Sequence, residues 1–284
     1  VQSAFSRNGV CYPRHIMNAP AASCLIEPDR LRARLGAAAQ AFALEVLPAC
    51  ESTSTLLLAR ARGGAPSGSL LVADRQTAGR GRRGRQWLSS PAASLTFSLL
   101  WRFPGGLARL AGLSLAVGVA LVQALEQYGI AGLGLKWPND LLLDGGKLAG
   151  VLVELESGPR EVLAVIGIGL NLQLPPTGEG EFLHPPAALA QVIEPLPERH
   201  DLLAQLLIAL ADVLGRFDAG GFAVLRDEWQ ARHAWQERPV RLLDELCAER
   251  AGICLGADRD GALLLRTETG VERCFSGDVS LRRA

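Results

Sequence analysis

The sequence predicts an α+β protein: a large mixed-sheet domain packed with helices, followed by a small β-barrel. Three observations carry this. The 284 residues are 49% hydrophobic, enough to bury a core for one large domain and a small one. Up to about residue 236 segments of helical and strand period are interspersed. After Arg238-Pro239 five short strand candidates separated by turns follow in fewer than 50 residues. The domain reading is an N-terminal extension with little order over residues 1–28, the large domain over 29–236 and the barrel over 237–284.

Asp29–Leu44 reads as a helix with Asp29 as its N-cap. Ala43–Leu47 begins the first strand. Glu51-Ser52-Thr53-Ser54-Thr55 opens a helix from Leu56 to Arg62, and the Gly/Pro/Ser cluster Gly63–Gly68 is a loop. Ser69–Ala73 and Ser94–Trp101 read as buried strands. A long helix covers Leu107–Tyr128; its apolar run Leu110–Leu125 falls short of the roughly 20 residues of a membrane span. Leu133–Trp137 and Leu141–Leu143 are strands around a Pro-Asn-Asp turn, and Leu148–Glu156 and Val162–Leu172 are paired strands. Pro175–Pro197 is loop-rich, and His200–Phe217 and Phe222–His233 are helices. In the tail, Pro239–Leu243, Ala251–Ala257, Ala262–Arg266, Val271–Phe275 and Val279–Arg282 are strands, with a hairpin signal at Asp258–Gly261.

Charge is balanced at 29 basic and 29 acidic side chains, which argues against general attraction to nucleic acid or anionic membranes. The six cysteines (Cys11, Cys24, Cys50, Cys247, Cys254, Cys274) form no C-x-x-C pair and read as reduced core residues of a cytoplasmic protein. No histidine lies at metal-ligand spacing to one of them, so a zinc site is not expected. The four histidines read as structural or exposed.

Against this neutral background, Gly79-Arg80-Gly81-Arg82-Arg83-Gly84-Arg85-Gln86-Trp87 concentrates four arginines on a glycine-rich loop. It reads as a solvated turn, as a non-specific nucleic-acid contact, or as a loop that grips phosphate or carboxylate. Its position between two core strands favours the last. Lys136-Trp137-Pro138-Asn139-Asp140 is either a plain hairpin turn or a place where Asp140 orients a base or holds a cation. Lys147, after Gly145-Gly146, leads into a buried strand where its charge calls for an anion; the alternative is a lysine in water. Gly167-Ile168-Gly169-Leu170-Asn171 clears one strand face, for a flat ligand or for tight packing.

Taken together, Ser52-Thr53, Gln76, Gly79–Trp87, Lys136–Asp140, Lys147–Glu154 and Gly167–Asn171 resemble the biotin protein ligases in order and spacing, from about residue 44 to the end. The tail segments Arg238–Leu242, Gly261–Leu265 and Gly277–Arg282 resemble that family's C-terminal, SH3-like barrel. The chain is similar to the short bacterial form without a DNA-binding domain. It departs at Ser54, where the family often carries Asn.

The resemblance implies that biotin's carboxylate attacks the α-phosphate of ATP to give biotinyl-5′-AMP, and that a carrier lysine then displaces AMP. It implies Arg82, Lys147 and Asp140 as catalytic residues. Biotin falls to Ser52, Thr53, Ser54, Gln76, Arg80, Gly81, Arg82, Lys147, Gly150, Gly167 and Gly169. ATP falls to Arg82, Trp87, Lys136, Asn139, Asp140, Lys147 and Asn171, with Mg2+ at Asp140 and the amides around Gly81 helping to fix the ligand. The implied partner is the biotin carboxyl carrier protein of acetyl-CoA carboxylase or of another biotin-dependent carboxylase. A homodimer through an exposed sheet edge is a further expectation; DNA and membrane partners are not expected. A lipoate-protein ligase and a non-enzymatic nucleic-acid-binding module using the Arg/Gly loop are the alternatives.

Overall fold

The computed structural model describes residues 24–91, 93–158, 160–174, 185–243, 249–275 and 280–283, with residues 249 and 280–283 described by backbone alone. Seven strands form the large sheet: β1 (Ala43–Leu47), β2 (Ser69–Ala73), β3 (Ser94–Pro104), β4 (Leu133–Lys136), β5 (Asp140–Leu143), β6 (Gly146–Ser157) and β7 (Glu161–Asn171). Their spatial order is β1-β2-β3-β7-β6-β5-β4. β1 and β2 run parallel, and every other pairing is antiparallel.

Strand alternation divides the residues between two faces. Leu95, Phe97, Leu99, Ile166, Ile168 and Leu170 point into the main core. There they join α3 (Leu113–Glu126) and α4 (Arg199–Gly220). The opposite face carries α2 (Thr53–Arg62), which seals it with a small cluster of Leu57, Ala61, Leu100 and Val165. Thr96, Ser98, Gly167 and Gly169 lie beyond that cluster, next to the start of α2.

Several boundaries differ from expectation. α1 (Pro28–Leu35) starts at its proline after Glu27, so Asp29 sits in the first turn, 2.8 Å from Arg32, and does not cap the helix. The helix stops before Gly36, whose φ is 55°, and a 3-10 turn leads to the first strand. Of the extension expected over residues 1–28, residues 24–28 belong to the packed domain, since Ile26 is 1% exposed; residues 1–23 lie outside the described set. The segment Leu107–Tyr128 is broken at Gly112 (φ 78°) into a 3-10 turn and α3. Leu107–Glu126 does have the length and apolarity of a membrane span, contrary to the shorter run expected. α3 nevertheless packs in the core, with Ala116, Val117, Val119, Ala120, Val122 and Leu125 fully buried. Phe222–His233 likewise divides into a 3-10 turn and α5 (Arg226–Ala231). Cys24 and Cys50 are only half-buried, unlike Cys254 and Cys274. His200 and His233 are buried, whereas Cys11, Cys247, His15 and His184 fall outside the described residues.

The tail forms a five-stranded antiparallel sheet of β8 (Pro239–Leu243), β9 (Glu249–Ala257), β10 (Leu263–Thr267), β11 (Gly270–Cys274) and β12 (Ser280–Arg283), ordered β11-β10-β9-β8-β12. It docks through the Lys-Trp-Pro-Asn-Asp turn. Trp137 is fully buried, and its Nε1–H donates to the Gly261 carbonyl at 3.1 Å. Gly261 has φ 80°, and a Cβ there would lie 2.6 Å from the Gly112 Cα. A glycine is therefore required twice over, by conformation and by space. Gly261→Ala is expected to destabilise the protein by roughly 1–3 kcal/mol in urea denaturation. Gly129→Ala, at φ 71° with open space around it, should cost less.

Candidate active site

The register of the large sheet lines up two rows of residues on the α2 face. In one, Ser98 of β3 lies opposite Gly167 of β7, which lies opposite Leu152 of β6. In the next, Thr96, Gly169, Gly150, Asp140 and Lys136 follow one another across β3, β7, β6, β5 and β4. Glycines in the middle of both rows leave a trough. Gly169 must be glycine, because a Cβ there would collide with the Trp87 indole. The Trp87 ring therefore lies directly on backbone. Its buried Nε1–H has no hydrogen-bond partner among the described residues, as expected of a group awaiting a ligand.

Trp87 stands between two cavities. One is lined by Ser52, Thr53, Ser54, Gln76, Arg80 and Asn139 together with Gly150, Val151, Leu152, Gly167, Ile168 and Gly169. The other, larger one lies between Gln76, Gln86, Leu88, Ser90 and Asn171. The first is a slot whose far wall is the start of α2. Ser52 is the N-cap, so the three hydroxyl residues Ser52, Thr53 and Ser54 fall on the helix entrance, all buried. Thr53 donates from its backbone N–H to Gln76 Oε1 at 2.7 Å, and its hydroxyl bonds Ser98 at 2.8 Å. Ser54 Oγ is 3.0 Å from Ser98 Oγ.

At the slot's other end, Asp140 sits between two ammonium groups. Its Oδ1 is 2.6 Å from Lys147 Nζ and its Oδ2 is 3.6 Å from Lys136 Nζ. Lys147 reaches this face because the β5–β6 register shifts: Leu141 faces Ala149 but Leu142 faces Lys147, one extra residue on β6. That bulge sends Leu148 into the core, fully buried, and turns Lys147 over the trough. Lys136 is 5% exposed and stands 4.9 Å from the centre of the Trp235 ring. Burial lowers its pKa to about 8, a shift that Asp140 opposes and Lys147 reinforces. Two ammonium groups flank this carboxylate, and Lys147, by exchanging it for a ligand, can hold an anion.

Other expected residues take different parts. Arg80 is paired with Glu154 at 2.8 Å and bonds the Thr55 hydroxyl, so its charge is already balanced. The Gly81 amide donates to the Arg85 carbonyl at 2.7 Å, closing the Arg/Gly loop as a hairpin; it is not offered to a ligand. Arg83 accepts a left-handed conformation in that turn, φ 60°, and Arg82 Nη1 donates to Asn139 Oδ1 at 3.4 Å. Asn139 in turn donates to the Val151 carbonyl. Both hydrogens of the Asn171 amide are used, on the carbonyls of Lys147 and Ala187, leaving only its oxygen for a base. Asn171 therefore also fixes the Lys147 backbone.

Magnesium was expected at Asp140, but that carboxylate is occupied by two lysines, and among the described residues no three His, Cys, Asp or Glu side chains gather. A resident ion does not fit there. Two contributors escaped the sequence reading. Ser98 is the hub of the hydroxyl cluster, and Glu154 balances Arg80. The signal for Ser98 was the two-residue period Ser94, Thr96, Ser98 along one strand, opposite the Gly-x-Gly of its neighbour.

A polar slot beside a lysine–aspartate–lysine cluster, an aromatic platform and an arginine loop, set on a mixed sheet, is a site suited to a small acid and a phosphate-bearing partner. The sequence profile of the Biotin/lipoate A/B protein ligase family matches residues 46–171. The chain is 37% identical over 242 residues to the Bifunctional ligase/repressor BirA of Escherichia coli strain K12, covering 84% of this chain and 74% of that one. It is 38% identical over 230 residues to the Biotin--[acetyl-CoA-carboxylase] ligase of Paracoccus denitrificans, covering 79% of this chain and 95% of that one. The solved biotin protein ligase from Aquifex aeolicus in complex with biotin and ATP superposes with a TM-score of 0.72 at 30% identity, over 84% of this chain and 98% of that one. The chain belongs to the biotin/lipoate A/B protein ligase family, among its biotin protein ligases.

The Lys136 shift has a consequence for stability. Its folded pKa of about 8 lies below the ordinary 10.5. Below pH 8 the buried ammonium therefore destabilises the fold in full, and that penalty disappears as pH rises from 8 to 10.5. Lys136→Met should raise stability at pH 7 by on the order of 1–3 kcal/mol, with the gain vanishing above pH 10.5. Denaturant titrations across that range measure it.

Proposed function

We propose that this trough carries both half-reactions of biotin protein ligation, with the slot for the ureido head and the lysine cluster for the reacting anions. The enzyme is a ligase that uses biotin and ATP as substrates. In the first half-reaction a carboxylate oxygen of biotin bonds to the α-phosphorus of ATP and pyrophosphate leaves. In the second, an amine attacks the acyl carbon, AMP leaves, and the amine's proton goes to solvent. The observation that carries this reading is the Asp140 carboxylate held between Lys147 and Lys136 at the end of the hydroxyl-lined slot.

Two anions must meet in the first step, and their repulsion is the barrier that fixed positive charge lowers. Lys147 leaves Asp140 to bind the biotin carboxylate and an α-phosphate oxygen; Asp140 keeps both lysines aimed until then. Lys136 supplies a second positive charge from a dry position, where it acts more strongly than in water. Arg82, leaning on Asn139 beside this cluster, closes over the adenylate. Trp87 is the platform for adenine, with the Asn171 oxygen near the base. Magnesium enters with the triphosphate and is held mostly by phosphate oxygens and water. No side chain forms a covalent intermediate; positioning and charge do the work.

The acceptor is a biotin carrier protein, here assigned to the carrier subunit of acetyl-CoA carboxylase. For a homodimer, β1 is the available edge. The β4 edge is covered, since Leu135 exchanges backbone hydrogen bonds with Arg232 and Ala234.

Incubation with ATP, Mg2+, biotin and a carrier domain should add one biotinyl group to the carrier by intact mass. Lipoylation in a parallel incubation with lipoic acid, without biotinylation, would favour the lipoate reading. Lys147→Ala should reduce pyrophosphate release by a factor of about 100 or more. Arg82→Gly should leave adenylate formation measurable but speed escape of biotinyl-AMP, read by trapping it in solution.

A further inference from the structure

The hydroxyl cluster at the head of the slot has a direction. The Thr53 backbone N–H donates to Gln76 Oε1 at 2.7 Å, which fixes the Gln76 amide with its oxygen toward Thr53. That oxygen cannot donate, so the Thr53 hydroxyl, 3.1 Å away, is the donor to it. A hydroxyl has one proton. Thr53 Oγ1 must then accept from Ser98, 2.8 Å away. The Ser98 proton is thereby committed, and Ser98 Oγ must accept from Ser54 at 3.0 Å. The protons run one way, from Ser54 to Ser98 to Thr53 to Gln76.

We propose that Ser98, as a positioning residue, makes Ser54 an obligate hydrogen-bond acceptor and thereby makes the slot select a head group that donates an N–H. This rests on the biotin reading. Ser54 Oγ projects over Gly167, where a Cβ would collide with it, so its lone pairs border the slot. Ser98 itself is fully buried and lies beneath Gly167, opposite it in register. A lone serine hydroxyl can donate or accept with equal ease. Tied to Ser98, it can only accept. The Gln76 amide nitrogen, turned away from Thr53, remains as a donor for a carbonyl. A cyclic urea supplies both the N–H and the carbonyl, whereas a dithiolane supplies neither. The serine found here in place of the family's asparagine is thus given a fixed polarity by a second serine, on the β3 strand beside α2.

The test compares biotin with its two cyclic carbamate analogues, in which one or the other ureido N–H is replaced by an oxygen of similar size. Dissociation constants come from calorimetry, and activation from pyrophosphate release. The wild-type protein should bind at least one carbamate isomer about 100-fold or more weakly than biotin, since lone pairs then face lone pairs. Ser98→Ala frees the Ser54 proton to donate. It should bind biotin roughly tenfold more weakly, narrow the biotin-to-carbamate ratio by a similar factor and leave the ATP KM unchanged. Ser98→Thr, which restores a hydroxyl, should restore the ratio. Equal binding of biotin and both carbamates by the wild-type protein overturns the proposal, and that arm needs no variant to fold. A folded Ser98→Ala protein with the wild-type ratio also overturns it. A wild-type protein that releases no pyrophosphate with biotin overturns the functional reading itself, a result distinguishable from either.

Discussion

A single carboxylate between two ammonium groups organises this molecule. Asp140 holds Lys147 at 2.6 Å and Lys136 at 3.6 Å, and each lysine would be costly at its position without it. Burial lowers the proton affinity of Lys136, Asp140 opposes that shift and Lys147 adds to it. Stability is given up to keep charge in a dry place. The same charge is what lets two negatively charged substrates approach each other.

Strand geometry makes that cluster possible. Asp140 and Lys136 are cross-strand partners, so the tight Trp-Pro-Asn connection sets their spacing. Lys147 comes from the third strand, and only the extra residue on β6 turns it to the same face. In a regular strand Lys147 would have faced the core and Leu148 the ligand. The turn that carries Asp140 is also the point where the tail sheet docks, through Trp137 and Gly261. Packing between the two sheets therefore holds the charged cluster in place.

The missing side chains matter as much as those present. Glycines at 150, 167 and 169 form the floor of the trough, and the indole of Trp87 rests where a side chain at Gly169 would be. The arginine loop beside it is less free than its composition suggests. Arg80 is tied to Glu154, the Gly81 amide to the Arg85 carbonyl, and Arg82 to the Asn139 side chain.

Much of this was legible in the chain. The strand and helix periods marked nearly every element, because burial on one or two faces leaves a pattern of period two or 3.6. Breaks inside helical patterns were not legible: Gly112 takes φ 78° at a place where Phe222 and Gly261, both far away in sequence, leave no room for a side chain. Most of the motif residues do line the slot or its cluster, since loops and strand ends with unusual composition are where chemistry collects. Ser98 was not found, because the alternation Ser94, Thr96, Ser98 marks a polar strand face but not its partners until the neighbouring strand and α2 are in place.

The sequence by itself determined the α+β class, the all-β tail, the local charge of the Arg/Gly loop and the set of residue types available for chemistry. These follow from local pattern and composition. Only the tertiary structure decided that Lys147 faces Asp140, that Ser98 orders the hydroxyls of α2, and that Arg80 and Asn171 serve mainly to brace. Each of those depends on which strand lies beside which and in what register, and long-range pairing is set by the packing of the whole core, not by any segment alone.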